Sequence, residues 1–219
     1  MSVDYNNFSN TFSNSRINMK WEEIDYFIKY LKDNIKDKKI DILDVWCGNW
    51  RLLDHLNKQD IWEFYYLWID SSSWLIDEAK KIHTDNEFKV LNMFNLEQLK
   101  WETFNYLFFI ASFHHLESIE DRLKVLIQAK KLLKPNWAIF MTNWALESNL
   151  NLEKYKDSVI KNSTNQYQSK DFKIKIGRFD RFYHSFSIEE LDYLFKEAWL
   201  EIIENKLFLN QRNIISIVR

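Results

Sequence analysis

Glycine is nearly missing from this sequence. Its 219 residues contain two, Gly48 and Gly177, where average usage near 7% would supply about 15. Cys47 is the one cysteine, which excludes an internal disulfide and a cysteine-based metal cluster, and no metal site is expected. No run approaches the roughly 18 uninterrupted apolar residues that cross a bilayer. The opening MSVDYNNFSNTFSNSR is polar and aromatic, without the apolar centre of a signal peptide; a cytoplasmic location with no membrane partner is the expectation. A basic excess is also lacking, with 30 Lys plus Arg against 32 Asp plus Glu. That balance argues against an unaided grip on nucleic acid, though not against a local basic patch. Tryptophan, by contrast, occurs 10 times.

The length suits one domain with a substantial core. Trp21, Ile24, Phe27, Ile28 and Leu31 recur at helical spacing. Ile40 to Val45 reads as a buried strand and Arg51 to Leu56 as the helix after it. Phe64 to Ile69 is a second strand ending at Asp70, followed by serines and a helix from about Leu75 to Ile82. Glu87 to Leu91 and Phe104 to Ala111 are the third and fourth strands, the latter apolar enough to be central. Ile119 to Leu133 is a helix stopped by Lys134-Pro135, and Ala138 to Thr142 is a fifth strand. Asn149 to Lys170 is polar and lacks a period, as an insertion would. Ser187 to Ala198 is a helix with Ser187 and Glu190 as a capping box. Glu201 to Leu209 and Arg212 to Val218 read as closing antiparallel strands. Alternating strands and helices predict a doubly wound α/β sheet. Such sheets bind ligands beyond the carboxyl ends of their strands, where the winding reverses.

At that place the first strand runs into Asp44-Val45-Trp46-Cys47-Gly48-Asn49-Trp50-Arg51. Glycine lets a backbone turn sharply and approach a ligand, and the next helix presents its first N–H groups. Asp70, 22 residues after Gly48, has the spacing of an acid that holds ribose hydroxyls; the alternative is a helix cap. With glycine at 46 and 50 the segment becomes ILDVGCGNGRLL, which resembles the first motif of class I S-adenosylmethionine-dependent methyltransferases. The resemblance implies a Rossmann-like, mostly parallel seven-stranded sheet with helices on both faces and an antiparallel C-terminal strand. It implies S-adenosylmethionine as cofactor, S-adenosylhomocysteine as product, and one domain over residues 1–219. A helical lead-in would fill 1–35, and an acceptor-side insertion about 144–185. The implied cofactor pocket comprises Arg16, Trp21, Asp44, Trp46, Cys47, Gly48, Asn49, Asp70 and Ser71. Asn92 and Met93 match positions that contact adenine, although the family often has Asp at the first, and Ala111 and His115 follow strand four.

Six tryptophans stand where the resemblance calls for glycine: Trp46, Trp50, Trp68, Trp74, Trp137 and Trp199. Trp62 is a candidate seventh, and Trp101 is undecided. A source that reads UGA as glycine explains one residue type replacing another. Real divergence, with indoles blocking the loop, predicts a catalytically inactive binding domain instead.

Further segments resemble the tRNA wobble-uridine carboxymethyl methyltransferases and their bacterial relatives. These are Ser15-Arg16 through Trp21, Phe113-His114-His115-Leu116, Asn143-Trp144-Ala145-Leu146-Glu147 and Arg181-Phe182-Tyr183-His184-Ser185-Phe186. In the eukaryotic family a small zinc-binding partner assists. An acceptor carboxylate is already ionised at neutral pH and needs alignment rather than a strong base. Arg181, with Arg16, can fork to it, while Tyr183 and His184 would shape the pocket. The rival for Arg181 is a solvated charge beside Asp180. His114 and His115 either supply a base or pack at the strand end. Trp144 either walls the acceptor site or belongs to the core. Lys170, Lys173, Lys175 and Arg178 either touch phosphate or line a solvated edge strand. The alternative acceptor is a small molecule such as a quinone precursor.

Overall fold

The computed structural model describes residues 21–35, 39–46, 51–59, 63–100, 102–177 and 179–219. Its centre is a seven-stranded sheet in the order β3-β2-β1-β4-β5-β9-β8. The strands are β1 (Lys39–Val45), β2 (Glu63–Asp70), β3 (Glu87–Val90), β4 (Phe104–Ile110), β5 (Leu133–Trp144), β8 (Ile202–Leu207) and β9 (Asn213–Val218). β1 pairs in parallel with both β2 and β4, and β4 in parallel with β5. β9 runs antiparallel to β5 and to β8. The winding reverses between β1 and β4, as expected for a doubly wound sheet. Every residue of β4 is buried, which its continuous apolar run requires of a central strand.

Helices cover both faces. On one, Ile24, Phe27, Ile28 and Leu31 of α1 (Glu22–Asn34) pack with Leu52, Leu53 and Leu56 of α2 (Arg51–Asn57). Leu75, Ile76 and Ala79 of α3 (Ser73–Ile82) join the same cluster. On the other face lie α4 (Ile119–Leu132) and α5 (Ile188–Glu197), which bring Val125, Leu126, Leu191, Leu194 and Phe195 to Leu43, Leu107 and Ile139. Serine caps fix three helix starts: Ser72 accepts from the Leu75 N–H, Ser118 from Asp121 and Ser187 from Glu190.

One boundary differs from the sequence reading. The fifth strand begins at Leu133 rather than Ala138 and carries Pro135 within it. Asn136 takes a φ of 70°, and the β4–β5 register shifts beside it, so the helix stop at Lys134-Pro135 is followed by an irregularity at the strand's start. The 149–170 segment is irregular apart from one helical turn at Leu152–Tyr155 and a short 3₁₀ turn at Lys156–Ser158. A hairpin then follows, β6 (Lys170–Ile176) with β7 (Phe179–Ser185). Gly177 takes a φ of 61° in its turn, a conformation glycine adopts without a Cβ clash. The hairpin forms its own small sheet, with Phe172, Ile174 and Tyr183 clustered on Leu146.

Candidate active site

The carboxyl ends of β1, β2 and β3 collect the residues expected to hold a nucleoside. Asp44 is fully buried near the end of β1 and accepts a hydrogen bond from the Tyr66 hydroxyl of β2. Asp70, the last residue of β2, is 5% exposed. Its Oδ1 accepts the Ser72 N–H at 2.8 Å, so it caps the start of α3 as well as standing at the strand end. Burial pushes its carboxyl up to about 7; the Ser72 N–H and the charge of Arg181 pull the other way, and Asp44 adds to the rise. Ser71 follows at the same edge. Asn92 caps the next turn by accepting the Phe94 N–H at 3.0 Å, and Met93 is core, fully buried.

Trp46 lies across this edge. Its φ is 57°, and its backbone N–H reaches the Ile69 carbonyl at 3.0 Å. The indole Nε1 donates to the Leu91 carbonyl at 3.2 Å. Because β2 lies between β1 and β3, a side chain rooted at the end of β1 and bonded just past β3 spans the end of β2, where Asp70 stands. Trp21 is buried at the head of α1, with the Arg51 guanidinium 4.5 Å above its ring. Arg16, Cys47, Gly48, Asn49 and Trp50 lie outside the described residues, as do Trp62, Trp101 and Arg178.

Beyond β4 and β5 a second cluster forms around the hairpin. The N–H of Ala111, φ 53°, meets both the carbonyl and the hydroxyl of Thr142. His114 is buried, and its Nδ1 accepts the Trp144 N–H at 3.1 Å. His115 Nδ1 meets the Phe182 carbonyl at 2.8 Å, an acceptor only, so Nδ1 carries the proton. Both histidines are thus engaged locally with the backbone. Tyr183 is the hub: its ring stacks on Trp144 at 4.9 Å and 14°. His115 meets it edge-on at 4.6 Å and His114 tilts against it at 5.3 Å. Trp144 therefore serves both as core and as a wall of this cage. Arg181, 5% exposed, stands 5.6 Å from the Tyr183 ring on the same face of β7. It is no solvated surface charge, and its effect on Asp70 links the hairpin to the β2 end.

His184 is a correction. Strand alternation turns it to the face opposite Arg181 and Tyr183, where Nδ1 meets Asp171 at 2.6 Å and Nε2 meets Glu190 at 2.8 Å. Arg122 Nη1 and Asn165 Nδ2 also donate to Glu190, at 3.1 and 3.0 Å. Burial raises the Glu190 carboxyl, but hydrogen bonding and charge from His184, with Ser169 and Asn165, outweigh it and hold it at about 2. His184 thus anchors the hairpin to α4 and α5 instead of shaping the pocket. The capping box at α5 is half formed: Ser187 caps, but Glu190 is spent on this network, and the Ser187 N–H goes to Ser169 Oγ at 2.8 Å. Lys170 pairs with Glu147, and Lys173 with Asp180 at 3.3 Å, along the hairpin edge.

Among the described residues, the buried polar groups without a hydrogen-bond partner include the Tyr183 hydroxyl, the Ser112 hydroxyl and both amide atoms of Asn143. An orphaned buried polar group is costly and calls for a water, an ion or a ligand to complete its bonding. Alternation along β5 leaves Asn143 unremarkable in sequence. Among the described residues no group of His, Cys, Asp and Glu is disposed to hold a metal, and no helix is long and apolar enough to cross a membrane.

Similar architectures occur among solved structures. An S-adenosylmethionine-dependent methyltransferase from Clostridium acetobutylicum is 17% identical, with a TM-score of 0.69 over 98% of either chain. The CcbJ methyltransferase from Streptomyces caelestis is 13% identical, with a TM-score of 0.68 over 99% of this chain and 98% of its own. SAM-bound CalS10, an amino pentose methyltransferase from Micromonospora echinaspora, is 12% identical with a TM-score of 0.64, over 100% of this chain and 99% of its own. No curated protein matches the sequence. The family pattern described as a methyltransferase domain matches residues 18–205, and the chain belongs to that methyltransferase family.

Proposed function

We propose that this chain moves a methyl group from S-adenosylmethionine to an acceptor carboxylate, carboxymethyl-uridine in tRNA being the acceptor the sequence resemblance points to. The observation that carries this reading is the pairing of Arg181 with Tyr183, a buried guanidinium 5.6 Å from the ring of a tyrosine whose buried hydroxyl lacks a partner among the described residues, with Arg181 in electrostatic reach of Asp70. Arginine forks bidentately onto a carboxylate, and the phenol adds one hydrogen bond and orients the group. Enclosure by Trp144, His114 and His115 excludes water, which strengthens each of these contacts. The acceptor is ionised before it arrives, so the engagement of both histidines with backbone groups is no obstacle.

The donor side fits in part. Asp70, Ser71 and Asn92 stand where a nucleoside is held in a parallel sheet. The Trp46 indole does not fit, because it lies over the end of β2, in the place the nucleoside needs. When bound, S-adenosylmethionine supplies an electrophilic methyl; the chain's own contribution is to align an anion with it and keep water out.

A second reading, a small-molecule acceptor, is supported by the enclosure of the Tyr183 cage and by the net charge of −2. Transfer of labelled methyl by the chain with glycine at 46 and 50, onto bulk tRNA and onto quinone precursors, separates the two. Label on tRNA that mild alkali releases is the expected result, since a methyl ester hydrolyses. Label that resists alkali sinks the carboxylate, and label only on small acceptors sinks tRNA. A zinc-binding partner is tested in the same assay by the gain when source extract is added.

A further inference from the structure

Two tryptophans sit on backbone that rejects a large side chain. Trp46 has φ 57° and Trp199 φ 59°, in the left-handed region where a bulky residue is an outlier. Five other side-chain-bearing residues are described there: Asn136 and Asn162 belong to a type that tolerates it, and Ala111, Gln168 and Gln211 are smaller or unbranched side chains.

At Trp199 the surroundings are unambiguous. The Trp199 N–H bonds the Lys196 carbonyl and the Leu200 N–H bonds Phe195, each at 2.9 Å. This closes α5 with both hydrogen bonds of a Schellman motif, and Trp199 occupies its left-handed position, the usual place of glycine. The indole is 83% exposed, so packing does not compensate for the conformation. At Trp46 the indole bonds the Leu91 carbonyl just past β3 and so crosses the end of the sheet beside β2, the strand that Asp70 closes. Gly177, at φ 61°, shows the chain using glycine for the same geometry.

We infer that residues 46 and 199 are glycine in the working protein, their codons being read as glycine by the source organism. For position 46 the inference rests on reading the strand ends as the nucleoside site; for position 199 it rests on the backbone alone. It is confined to these two positions. Trp68, Trp74 and Trp137 have no left-handed φ, and Trp68 is wholly buried against Phe88.

The test is the mass of the protein isolated from its source. After trypsin, the peptides over residues 40–51 and 197–206 are each expected to be lighter than the written sequence, by the tryptophan–glycine difference at every recoded position. Tryptophan at both 46 and 199 overturns the inference, and tryptophan at one removes that position. In parallel, the recombinant chain as written and its Trp46→Gly variant are titrated with S-adenosylhomocysteine by calorimetry. The variant is expected to show a Kd about a hundredfold lower. Glycine in the native peptide with no binding by this variant or by one that also carries Trp50→Gly leaves the inference standing and sinks the cofactor reading. Equal binding by both chains sinks the occlusion by Trp46, whatever the peptide shows.

Discussion

Trp199 allows the cost of a misplaced side chain to be isolated. A Cβ-bearing residue in the left-handed region costs about 1–2 kcal/mol, and glycine gives back about 0.5–1 kcal/mol through its freer unfolded chain. Because the indole is 83% exposed, removing it forfeits little buried area. Trp199→Gly is therefore expected to stabilise by about 0.5–1 kcal/mol, and a gain of 1 kcal/mol in a chain of this size raises Tm by about 2–4 °C. Trp199→Ala is the control, since it deletes the indole but keeps the Cβ and hence the backbone penalty. It should melt close to the parent. Denaturant unfolding of all three chains, with unchanged m-values, checks the assignment. If alanine gains as much as glycine, the indole and not φ is the source of the cost. A glycine variant that melts below the parent refutes the reasoning altogether.

Tyr183→Phe removes a buried hydroxyl without a partner, so stability should hold or rise by about 1 kcal/mol, while methyl transfer by the glycine-46 chain falls; loss of both means the hydroxyl is structural. Glu190, held at about 2 against an ordinary 4.5, binds fewer protons folded than unfolded near pH 4. Its stabilisation is complete above about pH 4.5 and is lost as pH falls toward 2, on the order of 3 kcal/mol in all. Glu190→Gln should flatten that acid limb in a pH series of melts. Asp70 works with the opposite sign: its folded value near 7 lies above the unfolded one, so its favourable contribution exists below about pH 4 and is lost as pH rises to 7. Asp70→Asn should thus melt higher than the written chain at neutral pH yet weaken S-adenosylhomocysteine binding in the glycine-46 chain. Arg181→Lys, which keeps charge but loses the fork, should raise KM for the acceptor more than it lowers kcat, as steady-state rates would show.

The sheet was legible because buried parallel strands carry their signal in unbroken apolar runs, as Phe104–Ile110 does, and because serines mark the helix starts. On the donor edge the sequence reading put Asp70 at the end of the second strand, where it stands, while Gly48 lies outside the described residues. The acceptor side was less so. Reading Arg181 through Phe186 as a motif hid the alternation of a strand, and alternation alone separates Tyr183 from His184. Glu190 carries a capping-box signature, yet a carboxylate three residues into a helix serves equally well as the acceptor of a buried imidazole and guanidinium. Local spacing cannot show which partner arrives from 68 residues away. The orphaned amide of Asn143 has no sequence signal at all, since nothing in a strand's pattern tells a satisfied polar group from one awaiting a ligand.

The two faces of β7 divide the work of the hairpin. One face is fastened by His184 to Asp171 within the hairpin and to Glu190 on α5, which Arg122 of α4 also holds. The other face presents Arg181 and Tyr183 toward the strand ends. A loop would leave those groups to wander, and a misplacement of about 1 Å can cost a hundredfold in rate; a short strand locked from behind by a buried ion network does not move that freely. The expense of burying the Arg122–Glu190 pair and the His184 imidazole behind the strand is thus understandable as positioning rather than as stability, because buried ion pairs seldom outperform apolar packing in free energy. On this view the acceptor hairpin is held in place from behind, and the side chain at residue 46, which crosses the end of β2, bears directly on the donor side.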